Sequence, residues 1–186
     1  MKSRPTFIEG YAIVSAEGMI ADARGLMDGL HFEADQRFFL NSLKHAAAVA
    51  HGRHSAESGA ESSRRRRLIL TRKIAGVAHD PSNPEAVLWN PAGGSLEEAW
   101  RALGAPEGKL AVIGGTGVFG LFLELGYDAF HLTRAKDVHL PGGRPVFPGV
   151  GPGIAPEDLL ASHGLKPGER QILDQAAGIT LVTWTR

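Results

Sequence analysis

The chain has 186 residues, the length of one ordinary domain, and its 43% hydrophobic and 22% charged residues are typical of a globular protein. It contains no cysteine, which excludes disulfides, thiolate metal sites and cysteine nucleophiles, and no metal site is predicted. The formal net charge is zero, which excludes a strong general attraction to nucleic acid or to an anionic membrane. Because no apolar run is long enough to span a bilayer and the start lacks a signal-peptide pattern, we expect one cytoplasmic domain over residues 1–186, with neither membrane nor nucleic acid as a partner.

The predicted elements alternate between strands and helices from the start of the chain. Residues 7–16 are rich in β-formers and end at a turn, which predicts a strand. Apolar residues then recur at helical spacing from 32 to about 47, and Asp35 lies near the positively polarised start of that predicted helix. A continuous apolar run predicts a buried strand over 67–71, and a short strand is expected around 86–89.

The second half continues the alternation. Ser95 and Glu98 have the spacing of a capping box, which predicts that a helix over 95–103 starts there. The later predicted elements are strand 109–115, helix 118–125, strand 128–135, helix 155–164 and terminal strand 179–186, with an irregular proline- and glycine-rich segment over 140–158. This order favours an α/β fold with three αβα layers and a central, mostly parallel sheet that has an antiparallel C-terminal edge strand. The apolar terminal strand is a candidate for pairing with a second subunit in a homodimer.

A run of arginines, Arg64–Arg67, precedes the predicted strand 67–71, and Arg72 and Lys73 follow it. Three interpretations are open: a solvated loop, a contact with nucleic acid, and a pocket for a small anion such as phosphate or carboxylate. No aromatic residues are interleaved with the arginines and the rest of the chain is balanced in charge, so we rank the small anion above nucleic acid.

Gly115, Gly117 and Gly120 match the G-x-G-x-x-G pattern between a predicted strand and a predicted helix. In a Rossmann domain this pattern lies in the first strand–helix turn and an acidic residue follows about 20 positions later. Here several strands precede it, and the next predicted strand ends at Thr133-Arg134 with no acid in place, so the Rossmann interpretation fails on position. Two interpretations are left: a diphosphate site at a helix N-terminus of another α/β fold, and a tight strand-to-helix packing turn.

Seven segments, taken in order, resemble the dihydrofolate reductase superfamily, including the reductase domains of riboflavin biosynthesis, over roughly residues 8–148. They are IVSAEGMIAD (13–22), EADQRFF (33–39), AHGRHSAES (50–58), RRLILTR (66–72), VIGGTGVFGLFL (112–123), FHLTRA (130–135) and GGRPVFP (142–148). The segment DGLHFEAD departs from the folate enzymes, because Leu30 stands where they usually have a tryptophan. The segment HGRHSAESGAESS departs from the riboflavin enzymes, and the last 35 residues match neither pattern.

The resemblance implies an NADPH-dependent reductase that transfers a hydride to a pterin, pyrimidine or related heterocycle, with residues 18–31 as a closing loop. The implied cofactor contacts are Ala12, Ile20, Gly52, Arg53, His54, Ser55, Leu70, Thr71, Arg72, Ile113, Gly114, Gly115, Thr116, Gly117, Val118 and Phe119. Thr71 and Arg72 would meet the 2′-phosphate of the adenosine ribose, which favours NADPH over NADH. The implied substrate contacts are Ile13, Phe38, Phe39, Arg65 and Thr133.

The resemblance assigns the catalytic role to Asp35. A carboxylate early in a helix and beside Phe38 and Phe39 is suited to the amidine-like edge of a pterin or pyrimidine. The other interpretation of Asp35 is a helix-start acid stabilised by the helix dipole. At the level of function, the alternative to an enzyme is a protein that binds a nucleotide or a folate-like ligand without turnover.

Overall fold

A computed structural model of the chain describes residues 3–104 and 106–186. Four α-helices are formed by the described residues: α1 (Glu33–Leu43), α2 (Leu96–Ala102), α3 (Thr116–Leu125) and α4 (Pro156–Ser162). Two short 3₁₀ helices cover Asp28–Leu30 and Ser62–Arg64. The strands of the main sheet are β1 (Phe7–Val14), β3 (Ala48–Gly52), β4 (Arg67–Leu70), β5 (Val77–His79), β6 (Ala86–Trp89), β7 (Lys109–Gly114), β8 (Ala129–Ala135), β10 (Lys166–Asp174) and β11 (Ile179–Thr185). A separate two-stranded sheet pairs β2 (Met19–Ala21) with β9 (Arg144–Pro145).

The main sheet has the strand order β10-β11-β8-β1-β7-β3-β4-β6-β5. The six strands from β8 to β6 are mutually parallel, which confirms the prediction of a mostly parallel sheet. Strand β5 is antiparallel at one edge, and β11 and β10 are antiparallel at the other. The sheet takes strands from both ends of the described chain, and the prediction of a single domain stays a prediction.

Helices cover both faces of the sheet, as the three-layer prediction requires. One face packs α1 against β1, β3 and β7 through Tyr11, Leu43, Val49 and Ala111. The opposite face carries α2 and α3, whose Trp100, Phe119 and Phe122 are buried against the strands in the larger core cluster. Ser95 is the N-cap of helix α2, and the predicted capping box with Glu98 is present there.

One part of the C-terminal prediction is wrong. The terminal strand β11 is antiparallel as predicted, but it lies between β8 and β10, so the edge position belongs to β10. Strand β10 has no apolar alternation and most of its side chains are exposed, so the residue pattern did not predict it. Because β10 covers β11, the terminal strand cannot be the free edge that was expected to pair with a second subunit.

Other differences are confined to element ends and short strands. Strand β1 ends at Val14, because the Ser15 N–H donates to the Met19 carbonyl in a turn. Helix α1 ends at Leu43 rather than about residue 47, because the chain must turn into β3. Among the described residues, no helix is long and apolar enough to cross a membrane.

Candidate active site

Two glycine-containing corners meet where β3 and β7 end side by side. These strands are parallel neighbours, so their carboxyl ends lie at the same edge of the sheet. A methyl group added to Gly115 would lie 3.3 Å from Ser55 Oγ, and one added to Gly52 would lie 3.9 Å from the Gly115 nitrogen. The two segments in which the sequence predicted diphosphate contacts, 52–55 and 114–118, are therefore in direct proximity.

The second corner leads into the N-terminus of α3, for which Gly115 is the N-cap. The backbone N–H groups of the first turn have no intrahelical acceptor and point toward the corner. Gly117 faces open space, since a methyl group added there would have no other atom within 4 Å. Gly114 has φ +118°, and a methyl group there would lie 3.0 Å from the Phe119 ring. The Thr116 hydroxyl donates to the Pro145 carbonyl, which fixes the start of α3 against β9.

A cavity of about 240 Å³ lies beside these corners, between α1 and the carboxyl ends of the central strands. Thirteen of the predicted residues line it: Ala12, Ile13, Ile20, Asp35, Phe38, Phe39, His54, Ser55, Ile113, Gly114, Gly115, Phe119 and Thr133. We call it the main cavity. It joins the predicted substrate contacts to part of the predicted cofactor contacts in one continuous space.

Asp35 lines the main cavity from the first turn of α1 and is only 7% exposed. Burial raises the pKa of its carboxyl to about 6, against an ordinary value of 3.8, and hydrogen bonding with the Thr133 side chain partly opposes the rise. A buried carboxyl that titrates near neutrality and faces an apolar cavity is a common feature of functional sites. Asp35 and Thr133 thus lie together in the main cavity, and their roles toward a substrate stay predictions.

The raised pKa makes a prediction for stability. Between about pH 4 and pH 6 the unfolded state loses the Asp35 proton while the folded state keeps it, so stability falls as pH rises through this window and is constant above it. The total effect is about 3 kcal/mol. The asparagine of Asp35→Asn does not titrate. We therefore expect the unmodified protein to lose about 3 kcal/mol of unfolding free energy relative to this variant between about pH 4 and about pH 8. Urea unfolding of both proteins measures it, and a difference that does not change with pH would contradict the burial of the carboxyl.

Sequence reasoning missed two aromatic residues of the main cavity, Tyr11 and His131. Their rings stack with centroids 4.5 Å apart, and Phe38 approaches His131 edge-on at 5.7 Å. Tyr11 donates to Glu9 Oε2 at 2.6 Å, and Lys109 Nζ lies 2.8 Å from the same oxygen. Burial opposes ionisation of Glu9, but the neighbouring His131 ring, 3.5 Å away, and the hydrogen bonds from Lys109 and Tyr11 hold its pKa at about 2.

Strand alternation is the signal that could have found these two side chains. Tyr11 and Ile13 lie on the same face of β1, and His131 and Thr133 lie on the same face of β8. Since Ile13 and Thr133 were predicted to line the site, the residues two positions earlier on each strand were candidates for the same cavity.

A second cavity, of about 260 Å³, lies near the end of β4. Arg53, Thr71 and Lys73 line it, and neither Arg53 nor Lys73 has an ion-pair partner among the residues that the structure describes. Asp80 also lines it, where its carboxylate accepts hydrogen bonds from the backbone and hydroxyl of Ser82. Leu70 and the exposed Arg72 line neither cavity. Arg53 and Thr71, both predicted cofactor contacts, are thus placed together, and Lys73 joins them.

The structure does not bring Arg65 into the main cavity. Its Nη1 donates to Glu57 Oε1 at 3.0 Å, and its side chain is mostly buried. Glu57, which sequence reasoning did not single out, lines the main cavity with the neighbouring Ala56 and Ser58. The other arginines of the run also have carboxylate partners: Arg67 binds Glu57 at 2.8 Å, and Arg64 and Arg66 lie 3.8 and 3.9 Å from Glu61 and Glu85. The run is therefore not a free basic patch.

The predicted closing loop, residues 18–31, is held at its N-terminal end by contacts with α4, Arg134 and β9. A methyl group on Gly18 would lie 2.8 Å from Pro156 at the start of α4, and Gly18 has φ +87°. Arg134 donates to the carbonyls of Ser15 and Ala16 and pairs with Glu157. Strand β2 is also paired with β9. Beyond these attachments the exposed apolar side chains of Leu26 and Met27 lie at the tip of the loop, and Met27 lines the main cavity.

The overall fold of this chain is similar to that of several solved structures, reductases among them. A Shewanella sp. PV-4 protein assigned to riboflavin biosynthesis is 20% identical over 97% of this chain and 99% of its own, with a TM-score of 0.66. The dihydrofolate reductase of Enterococcus faecalis, solved with NADP(H), is 17% identical over 97% of this chain and 96% of its own, with a TM-score of 0.64. A Thermotoga maritima diaminohydroxyphosphoribosylaminopyrimidine deaminase/5-amino-6-(5-phosphoribosylamino)uracil reductase is 19% identical over 98% of this chain, with a TM-score of 0.64, and this chain spans 56% of it.

These likenesses show the fold. The chain has the dihydrofolate reductase-like fold, and its structural neighbours include reductases of the dihydrofolate and riboflavin-biosynthesis types. The recognition made from the seven sequence segments is thereby confirmed at the level of the fold. No protein-family profile matches the sequence, and no curated protein matches it.

Proposed function

We propose that this protein is an NADPH-dependent reductase that transfers a hydride to a pterin, a pyrimidine or a related nitrogen heterocycle. One observation carries the proposal: the glycine corners at the ends of β3 and β7 open onto the same cavity that holds the buried carboxyl of Asp35. A site for a dinucleotide diphosphate and a site for a ring with N–H donors would then share one space.

The corners fit a diphosphate. Gly117 offers space that a larger side chain would fill, and the first-turn amides of the ten-residue helix α3 supply hydrogen-bond donors to an anion. In this proposal Gly52–Ser55 hold the opposite side of the diphosphate. Arg53, Thr71 and Lys73 of the second cavity would hold the 2′-phosphate, because two cations without an ion-pair partner among the described residues favour a doubly charged group.

The main cavity fits a planar heterocycle. Phe38, Phe39 and Tyr11 offer apolar ring surface, and Asp35 offers the polar group that fixes orientation. An aspartate carboxylate accepts hydrogen bonds from two adjacent N–H groups, which is the pattern on the amidine-like edge of a pterin or pyrimidine.

A reduced nicotinamide, when bound, supplies the hydride. The residues of this chain bind and orient the reactants and exclude water, which lowers the barrier chiefly by proximity. Asp35 holds the heterocycle through its N–H edge, and because its pKa is about 6 it exchanges a proton with the ring near neutral pH. Thr133 keeps the carboxyl in place, and Met27 at the loop tip narrows the opening of the cavity.

A thermal melt followed by a turnover assay tests the proposal. At about 100 times its dissociation constant, NADPH should add roughly 2.7 kcal/mol of stability. Oxidation of NADPH should then be seen with at least one of three probes: a dihydropterin, dihydrofolate, or a 5-amino-6-(ribosylamino)uracil. Protection by a ligand without oxidation of NADPH would favour a binding protein without turnover. If NADPH, NADP⁺ and NADH all fail to protect, the reductase proposal and the binding-protein alternative are both overturned.

The second cavity makes a prediction for cofactor choice. Replacing Arg53 and Lys73 together with glutamine should weaken NADPH binding about tenfold, because charge-assisted bonds to the 2′-phosphate are lost. NADH binding should not change, since NADH lacks that phosphate. Titration of the two cofactors by fluorescence measures the ratio. Arg170→Gln on the exposed strand β10 is the matched control, and equal loss of both cofactors would place the 2′-phosphate elsewhere.

A further inference from the structure

The charged groups of the main cavity are acidic. Among the described residues that line it, Asp35 and Glu57 carry carboxyl groups, and none is lysine or arginine. Lys109 Nζ lies 2.8 Å from Glu9, the carboxylate that accepts the Tyr11 hydroxyl, so its charge is already paired. Arg53 and Lys73, which lack ion-pair partners within the described part of the chain, line the second cavity instead. Positive charge is therefore available where the cofactor phosphates are proposed to bind, and it is not available where the substrate is proposed to bind.

Arg65 and Arg67 lie behind Glu57, which lines the main cavity, and both form ion pairs with its carboxylate. Glu57 Oε1 accepts from Arg65 Nη1 at 3.0 Å and from Arg67 Nη2 at 2.8 Å, and Oε2 accepts from Arg67 Nη1 at 3.1 Å. The Glu57 side chain is fully buried, and those of Arg65 and Arg67 are 14% and 5% exposed. Arg67 is held further by the Ser62 carbonyl and by His51 Nε2 at 2.9 Å.

This cluster is built to keep Glu57 ionised. Burial alone would raise the pKa of Glu57, but the hydrogen bonds from Arg67 and Arg65 outweigh it and lower the pKa. Arg65 does not line the main cavity, so an acidic group on a ligand bound there would have to displace Glu57 in order to pair with Arg65. That exchange would break one buried charge-assisted hydrogen bond of Glu57 for each one that it forms, and two carboxylates would then lie side by side on two guanidiniums, so the acidic group gains no net pairing in this low-dielectric site.

We propose that Glu57 is a specificity-determining residue, an internal carboxylate that takes the place of an acidic substrate tail, so that the substrate of this site is a heterocycle without a carboxylate or phosphate tail. The inference rests on the proposed function and narrows its substrate class. The tail would be uncharged, such as a hydroxyalkyl or sugar group. In this view Arg65 positions Glu57 and does not contact substrate.

The first experiment compares matched ligands on the unmodified protein saturated with NADP⁺. One pair is a dihydropterin with a hydroxyalkyl side chain and a dihydropterin with a benzoylglutamate side chain. The other pair is 5-amino-6-(ribosylamino)uracil and the same compound with a phosphate on the 5′-hydroxyl of the ribose. In at least one pair, the uncharged member should bind about tenfold more tightly or better, as measured by calorimetry. Equal or tighter binding of the acidic member in every pair that binds would overturn the inference.

Three variants locate the effect. Glu57→Gln frees Arg65 while its amide oxygen still accepts from Arg67, so the acidic member should gain about tenfold relative to the uncharged one. Arg65→Gln added to Glu57→Gln should abolish that gain. Arg65→Gln alone should leave the ratio of the two affinities, acidic member to uncharged member, unchanged. If this variant selectively weakens binding of the acidic member, Arg65 binds the tail and the proposal is refuted. That outcome decides the question even if Glu57→Gln fails to fold.

The outcomes separate this inference from the function beneath it. Retained NADPH binding shows that each variant is folded at the cofactor site. If no member of either pair binds to the NADP⁺ complex, the heterocycle-reductase proposal itself fails. If ligands bind with a preference for acidic tails, the reductase proposal stands and the role assigned to Glu57 is wrong.

Discussion

Asp35→Asn is expected to lower kcat/KM for the heterocyclic substrate by about two to three orders of magnitude. The asparagine has nearly the same shape, so the cavity wall is kept, but its NH₂ group opposes the N–H edge of the ring and it cannot exchange a proton. The Thr133 contact would remain as a weaker neutral hydrogen bond. Steady-state kinetics with the probe that is turned over, at saturating NADPH, measures the loss.

Glu33→Gln is the matched control for this substitution. Glu33 lies in the same first turn of α1, but it is exposed and pairs with Arg37 at 3.0 Å. Its loss should leave kcat/KM within about twofold, because exposed ion pairs contribute little. NADPH protection in a thermal melt should persist in both variants. An Asp35→Asn protein with normal kcat/KM would return Asp35 to the other interpretation, a helix-start acid with only a structural role.

Gly117→Asp is expected to weaken NADPH binding about 100-fold while the protein stays folded. Gly117 is exposed, and a methyl group added to it would have no neighbouring atom within 4 Å, so the new side chain has room in the empty protein. An aspartate in the first turn of α3 also interacts favourably with the helix dipole, so the melting temperature without ligand should not fall. The same carboxylate would repel a diphosphate and fill its space. Fluorescence titration and ligand-free melts provide the two readouts.

Gly151→Asp provides the control for this second substitution. Gly151 likewise has open space around it and no left-handed backbone conformation, and it lies outside both cavities. The Gly151→Asp variant should bind NADPH with the affinity of the unmodified protein. If Gly117→Asp also binds NADPH normally, the glycine corner is a packing turn between strand and helix, and the diphosphate site lies elsewhere.

Local patterns predicted most of the parallel half of the fold. The spacing of Ser95 and Glu98 placed the start of α2 correctly, since both hydrogen bonds of a capping box form between residues three apart. The apolar run over 67–71 became β4, one residue shorter than predicted. Strand β10 was missed because it is polar and exposed, and only its pairing with β11 makes it a strand.

The candidate site was predicted where neighbours in sequence are also neighbours in space. Gly114–Val118 connect the end of β7 to the start of α3, so the prediction that they contact a diphosphate could rest on the segment itself. Tyr11 and His131 were missed, because alternation from Ile13 and Thr133 was not followed back along each strand, and the parallel pairing of β1 with β8 then places the two rings side by side.

The sequence by itself determined the alternation of strands and helices, the glycine turn and the early position of Asp35 in α1, because each depends on spacing within a few residues. The tertiary structure alone decided that Glu57 takes both Arg65 and Arg67 and that β10 covers the terminal strand. It also decided the environment of Asp35. Burial, ion pairing and pKa depend on which distant segments pack together, and no local pattern in this chain encodes that.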